Sequence, residues 1–383
     1  MVLLGVLIAL PALGTDLFVP ALPSLTLALG TEVGAAQLTM TLYFIGVAAG
    51  QLLWGPLSDR YGRKPILLSG LGIMLAASIT AALMESLAAV VAARLAQGLG
   101  MSSGSLIGRT IARDLYAHEQ AARLLSSMGL VFSVVPLAAP LTGGLLVASA
   151  GWPSVFVAMA IVAAVLLAAV IPLRETAPAK RASARPREIL RTFAVILRDR
   201  RFLAPYSVFL CTQIGILAWV SNSSFTLISG LGVGPRAYGA MFTLVMSGQI
   251  VGAWLSTRLV LRLGIPRMLH WGATLMFAGG AAVSALAWLG VAHWLAVVAP
   301  FMVYLFGAAL VVPSATAAAM APFPASAGAV SSLIGTIGFG AGAVVSTALG
   351  AAFDGSARPM ATVALLAGVL ALVFERSLLR GKA

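Results

Sequence analysis

Two ionisable residues in this sequence stand where ionisable residues are expensive. Asp16 interrupts an apolar stretch that runs from Val2 to Ala28, and Arg94 interrupts another near 88–109. If the first stretch is a helix, a rise of 1.5 Å per residue puts Asp16 roughly 20 Å from its start. A carboxyl at that depth of an apolar layer is a natural proton carrier, and a lone cation there is functional by default. Arg94 lies well in from both ends of its stretch, so snorkelling to an interface does not account for it. A third group is polar and local: Gly55-Pro56-Leu57-Ser58-Asp59-Arg60-Tyr61-Gly62-Arg63-Lys64-Pro65, with Asp114 further along. Gly55 and Gly62 there permit close approach and a tight turn, and Asp59 suits the positive N-terminal end of a neighbouring helix. Other chemistry finds few residues to use. His118, His270 and His293 are scattered and read as loop or helix-end residues, and Cys211 is the single cysteine. No internal disulfide and no cysteine metal site are therefore expected, and no metal, cofactor or nucleotide site is read, because a glycine-rich loop with Lys-Ser/Thr is missing too. No nucleophile, base and orienting group share a depth, so an enzyme is not expected.

The elements that must hold these residues are membrane helices. Only 9% of the 383 residues are charged and 60% are apolar, far from the roughly one-quarter charged composition of a soluble domain. Mean hydropathy is +1.03. Apolar runs of about 18 residues or more recur from end to end. Reading them between charged and Pro/Gly/Asn punctuation predicts spans at 2–28, 36–57, 66–84, 88–109, 124–148, 153–173, 203–229, 237–258, 267–289, 294–314, 327–350 and 359–376. The chain opens on the run Val2 to Leu13 with no basic region before it and no small-residue cleavage site, so the first helix is expected to be retained.

The net charge of +13 raises nucleic acid as a partner, and the positions of the charges argue against it. With the N-terminus inside, 21 of the 24 basic residues fall on the cytoplasmic side; Arg236 and Arg358 lie outside and Arg94 within a span. That asymmetry is the positive-inside pattern of an even number of helices with both termini cytoplasmic. The one long polar interval, Arg174 to Arg201, carries nine basic residues and reads as a linker over 174–202. The expected domains are a six-helix bundle at 1–173 and another at 203–383. Gly50-Gln51-Leu52-Leu53-Trp54-Gly55-Pro56-Leu57-Ser58-Asp59-Arg60 recurs loosely as Gly248-Gln249-Ile250-Val251-Gly252-Ala253-Trp254-Leu255-Ser256-Thr257-Arg258, as expected of two repeats that rock against each other.

The Gly55-to-Pro65 segment resembles the signature between helices 2 and 3 of the major facilitator superfamily. Arg94-Leu95-Ala96-Gln97-Gly98-Leu99-Gly100 looks like a second motif of that family. Pro136-Leu137-Ala138-Ala139-Pro140-Leu141-Thr142-Gly143-Gly144 resembles its antiporter motif, with Ala139 where a glycine is usual. Gly14-Thr15-Asp16-Leu17-Phe18-Val19-Pro20-Ala21-Leu22-Pro23 looks like the helix 1 signature of the bicyclomycin- and chloramphenicol-resistance exporters within it. The resemblance covers essentially the whole chain. It implies an all-α membrane protein of twelve helices in two pseudo-symmetric bundles, working as a drug:proton antiporter in a bacterial inner membrane. It further implies that Asp59, Arg63 and Asp114, with Gly55, Arg60 and Gly62, form a switch that locks the cytoplasmic side, Asp59 facing a helix 11 that begins near Ser326. Pro136, Pro140, Gly143 and Gly144 would bend helix 5 and pack it across the interface between the halves.

Asp16 and Arg94 are then expected to couple protons, with a protonated Asp16 and bound substrate mutually exclusive and Arg94 tuning Asp16 or ordering water. Tyr43, Phe132, Gln213, Asn222, Met246 and Tyr304 lie on spans that line the cavity in that family, and such residues suit varied apolar ligands. The partners read from the chain are a drug-like small molecule, protons as coupling ion and the lipid bilayer, with no nucleic acid. A monomer is expected, because one chain supplies both halves. A metabolite exporter on the same scaffold stays open, and a non-transporting sensor would be expected to lose Asp16, Asp59 and Arg94.

Overall fold

A computed structural model describes residues 2–115, 118–177 and 186–380, with the side chains of 113, 118–133, 186–190, 325 and 378–380 outside the description. Among the described residues every regular element is helical. Nine stretches among the described residues are long and apolar enough to cross a bilayer. One of them, α10 (Pro235–Trp288), is two helices merged across Gly264, and α5 (Leu87–Leu115) and α6 (His118–Ala150) complete a set of twelve. Helices are required because no water inside the bilayer pairs with an open backbone N–H or C=O.

The chain divides into two compact units, Met1–Glu188 and Ile189–Ala383. In the first, α1 (Val2–Asp16) continues through a 3₁₀ turn (Val19–Ala21) into α2 (Leu22–Ala28), followed by α3 (Val33–Tyr61), α4 (Arg63–Leu83), α5, α6 and α7 (Pro153–Val170). In the second, α8 (Pro186–Ile196) precedes α9 (Arg200–Ser224), which ends in a π-helical turn at Phe225–Gly230. Then come α10, α11 (Trp294–Met320), α12 (Ala327–Ala351) and α13 (Arg358–Arg380). The interval expected to be a linker thus holds a helix, α8, that reaches into the second unit, and its Ile196 is buried.

The first span departs from its expected continuity. Instead of one helix over 2–28, α1 stops at Asp16 and the chain makes a 3₁₀ turn before α2. Pro20 and Pro23 carry no N–H and cannot close the helical ladder back to Asp16 and Val19. The break places the carboxyl at a helix end instead of on a continuous cylinder.

Close packing rests on small residues, as it must where lipid is as apolar as leucine. A Cβ at Gly100 of α5 would stand 2.6 Å from the Gly70 carbonyl of α4, and Gly98 and Gly46 draw α3 and α5 together in the same way. The second unit repeats the device: a Cβ at Gly252 of α10 would stand 2.6 Å from the Phe306 carbonyl of α11. The matched glycines of the loose sequence repeat behave alike: a Cβ at Gly50 of α3 would collide with Ser102 of α5, and one at Gly248 of α10 would stand 2.5 Å from the Met302 carbonyl of α11. Gly62 (φ 106, ψ 158) and Gly264 (φ 76, ψ 162) mark matching helix-to-helix turns, in a backbone region open essentially only to glycine.

A buried arginine centre and a charged loop network

Arg94, fully buried on α5, is clamped between two aromatic faces. Its guanidinium carbon lies 4.3 Å from the ring centroid of Phe18 and 4.0 Å from that of Tyr43. A planar guanidinium suits such a stack, and ring quadrupoles offset part of the cost of burying its charge. It also donates to Gln97 Oε1 at 2.5 Å and contacts Met40 Sδ at 3.7 Å, while its Nε has no partner. Gln97, one helical turn on, is itself held by Ser78 Oγ at 2.7 Å and Met159 Sδ at 3.2 Å. Arg94 is thus fixed by neutral groups from α3, α4, α5, α7 and the break after α1.

Asp16 is 5% exposed, and its Oδ1 accepts from the Thr15 hydroxyl at 3.0 Å. No ion pair joins it to Arg94 among the described residues. Tyr43 stands between them in the connectivity: its ring covers Arg94, and its hydroxyl donates to the Pro11 carbonyl of α1 at 2.8 Å and touches Met101 Sδ at 3.2 Å. Tyr43, read from the sequence as a ligand contact, is fully buried and holds α1, α3 and α5 together. A Cβ on Gly14 would collide with that same hydroxyl. A second buried carboxyl went unread. Glu375, placed at the end of the last expected span, is 1% exposed on α13 and lies 3.4 Å from Nδ1 of His270, so Asp16 is not alone as a buried carboxyl.

The loop residues come together at one end of the first unit. Arg63 donates through Nε to Asp114 Oδ2 at 3.1 Å, through Nη1 to Ser58 Oγ at 2.8 Å, and also to Asp59 Oδ1. Arg63 is 10% exposed, Asp114 19% and Asp59 41%, so the pairing with Asp114 is the better shielded of the two. Arg60 is exposed and lies over the ring of Tyr61, 5.2 Å from its centroid. Gly55 has ordinary room, its nearest contact for a Cβ being Leu106 Cδ2 at 3.9 Å; the close approaches expected there belong to other glycines of α3.

Glu175 is the residue of this network that sequence reasoning missed. It follows α7, and its carboxylate accepts from the backbone N–H groups of Arg63 at 2.9 Å and Lys64 at 3.2 Å, as well as from Thr176 and Ala177. Partial burial pushes the Glu175 carboxyl up, but those N–H donors outweigh it and hold the group below the usual carboxylate range. A carboxylate on the exposed donors at the start of α4 completes the turn that Gly62 opens. Its sequence signal was only an acidic residue inside a basic cluster.

In the antiporter-like segment, Pro136 and Pro140 lie within α6, and Gly143 and Gly144 are buried. A Cβ on Gly143 would collide with the Leu17 carbonyl and stand 3.2 Å from Pro20 Cγ. The close approach found at Gly143 is to the broken first span of its own unit. Of the remaining residues read as ligand contacts, Phe132 lies outside the described side chains. Gln213 is half-buried on α9, Met246 is buried on α10, and Asn222 and Tyr304 are fully buried. Both amide atoms of Asn222 and the hydroxyl of Tyr304 are without a partner. The second unit also packs Trp219 against Phe242 and Phe301, with ring centroids 5.6 Å and 4.8 Å away.

The pattern of the Major Facilitator Superfamily matches residues 4–347. The chain belongs to this superfamily. It is 30% identical over 363 residues to the bicyclomycin resistance protein homolog of Haemophilus influenzae, covering 93% of this chain and 90% of that one. It is 29% identical to multidrug resistance protein D of Escherichia coli, over 90% of this chain and 87% of that protein. Among solved structures it superposes on a D-xylose-proton symporter with a TM-score of 0.76 at 17% identity, covering 97% of both chains. It superposes on a partially occluded inward-open form of the xylose transporter XylE from E. coli with a TM-score of 0.77 at 15% identity, covering 98% of this chain and 96% of that one. At these identities the two structures speak for the fold alone.

Proposed function

We propose that this superfamily member exports hydrophobic or amphipathic small molecules in exchange for protons, by alternating access, from the cytoplasm of a bacterium. The observation that carries the reading is the Asp16 carboxyl: buried, set at a break in the first membrane span, and paired with a hydroxyl instead of a cation. A carboxyl in that setting can be neutral or charged without breaking an ion pair, which is what a proton carrier requires. The names of the relatives, bicyclomycin and multidrug resistance, support drug-like substrates. In this reading Arg94 keeps a fixed positive charge near the first span, Asp16 gives up its proton as substrate enters, and the Arg63–Asp59–Asp114 network closes the cytoplasmic end. Bond-making chemistry and a bound cofactor play no part, and one chain suffices. A charge crossing the membrane potential gains about 2.3 kcal/mol per 100 mV, which adds to any pH gradient in driving the cycle.

The test is drug-triggered proton flux in proteoliposomes under an imposed pH gradient, comparing the native chain with Asp16→Asn. Drug moves protons through the native protein, and the folded variant abolishes that flux. Persistence of flux in the variant would put the proton site elsewhere, and silence of the folded native protein across a broad drug panel would reject drug export.

A further inference from the structure

Three helix ends of the first unit, the start of α4 and the ends of α5 and α7, enclose a cavity of 120 Å³. Among the described residues its lining mixes two chemistries: Leu67, Ile111, Leu115, Val170 and Leu173 are apolar, while Arg63, Lys64, Arg174 and Thr176 are polar or charged. Arg63 is committed to Asp59 and Asp114, and the nearby carboxylate of Glu175 is committed to four backbone N–H groups. Lys64 and Arg174 enter none of the ion pairs among the described residues. The hydroxyl oxygen of Thr176 is buried without a hydrogen-bond partner, an arrangement that costs free energy until something fills it.

We propose that this cavity binds the phosphate of an anionic phospholipid, with Lys64 and Arg174 supplying the charge and Thr176 donating its hydroxyl. The acyl chains rest on the apolar lining residues, of which Leu115, at the end of α5, is 54% exposed. Helix ends lie at headgroup depth, and basic pockets between membrane helices on the cytoplasmic side are where acidic headgroups settle. A free phosphate ion would use the two cations but gain nothing from the leucines, so the mixed lining selects a lipid. Lys64 follows Arg63 directly, and both backbone N–H groups sit on Glu175. A lipid held by Lys64 therefore restrains the start of α4, the segment that carries the charged network. The site stands independently of the export reading.

Native mass spectrometry of the detergent-purified protein, titrated with phosphatidylglycerol, phosphatidylcholine and inorganic phosphate, tests the site. Phosphatidylglycerol binds in preference to phosphatidylcholine, and inorganic phosphate at millimolar concentration leaves it bound. The double variant Lys64→Gln/Arg174→Gln weakens the phosphatidylglycerol adduct roughly 30-fold, as expected when each cation near a membrane surface contributes about fivefold. Lys64→Arg/Arg174→Lys keeps the adduct, which separates lost charge from lost folding. Arg258→Gln/Arg262→Gln, in the second unit, leaves it unchanged. Equal binding of phosphatidylcholine, an undiminished adduct in the glutamine variant, or equal loss in the Arg258/Arg262 variant overturns the proposal. Displacement by inorganic phosphate overturns it in favour of a small-anion site.

Discussion

At the residue scale the chemistry turns on how a buried charge is held without a counter-ion. Arg94 is stacked between Phe18 and Tyr43 and donates to Gln97, and that arrangement needs a flat cation. Lysine at this position keeps the charge but neither the stack nor the fork of donors. Arg94→Lys is accordingly expected to lower the melting temperature in detergent and to abolish drug-driven proton flux. Tyr43→Phe makes the contrasting case. It retains the ring over Arg94 and removes only the hydroxyl bonded to the Pro11 carbonyl, so it costs about 1 kcal/mol and leaves flux measurable. Equal loss of flux in the two variants would mean that the hydroxyl, and not the stack, is the working part of Tyr43.

Helix-to-helix turns carry the argument at the scale of elements. Gly62 and Gly264 hold equivalent backbone conformations in the two units, yet their surroundings differ. A Cβ at Gly62 would stand 2.5 Å from Glu175 Oε2, whereas at Gly264 the nearest atom is Pro266 Cδ at 3.8 Å. Backbone strain from alanine is worth about 1–3 kcal/mol at either site, and Gly62→Ala adds displacement of the carboxylate that caps α4. Thermal unfolding should therefore rank Gly62→Ala as the more damaging of the two. The Glu175 cap also has a pH signature. Because its carboxyl is held below the usual range in the folded chain, its stabilisation is present above the unfolded carboxylate value and is lost as pH falls through the folded one. As pH falls from 7 to below the ordinary carboxylate range, the native protein should lose more stability than Glu175→Gln, which already lacks the charge; parallel losses across that whole range would exclude an ionised cap.

Topology is the prediction proper to the whole molecule. With both termini on the cytoplasmic side, single cysteines placed in a Cys211→Ser background react with an impermeant thiol reagent from outside at positions 236 and 356. Cysteines at positions 60 and 376 react only after the membrane is opened. The reverse pattern would invert the orientation and with it the direction in which Asp16 faces each compartment. We propose that the two compact units, each with its own glycine-packed helix pairs, are the six-helix repeats expected from the sequence.

Much of this was legible from the sequence because the bilayer imposes its demands locally. Apolar length sets the spans, and the Gly55-to-Pro65 motif carries its own turn. The spans at 153–173 and 327–350 fall within three residues of α7 and α12 at both ends. What the tertiary structure decided depends on how helices rotate against one another, which no local run encodes. Residues 32, 54 and 112 positions apart had to meet before Tyr43 found the Pro11 carbonyl, Arg94 found Met40 and Glu175 found Arg63. Rotation of α13 buried Glu375 against His270, where a hydropathy reading saw only a charged helix end. The break at Asp16 is legible in retrospect from Pro20 and Pro23. Packing of Gly143 against that break, and the separation of Asp16 from Arg94, followed from three-dimensional proximity alone.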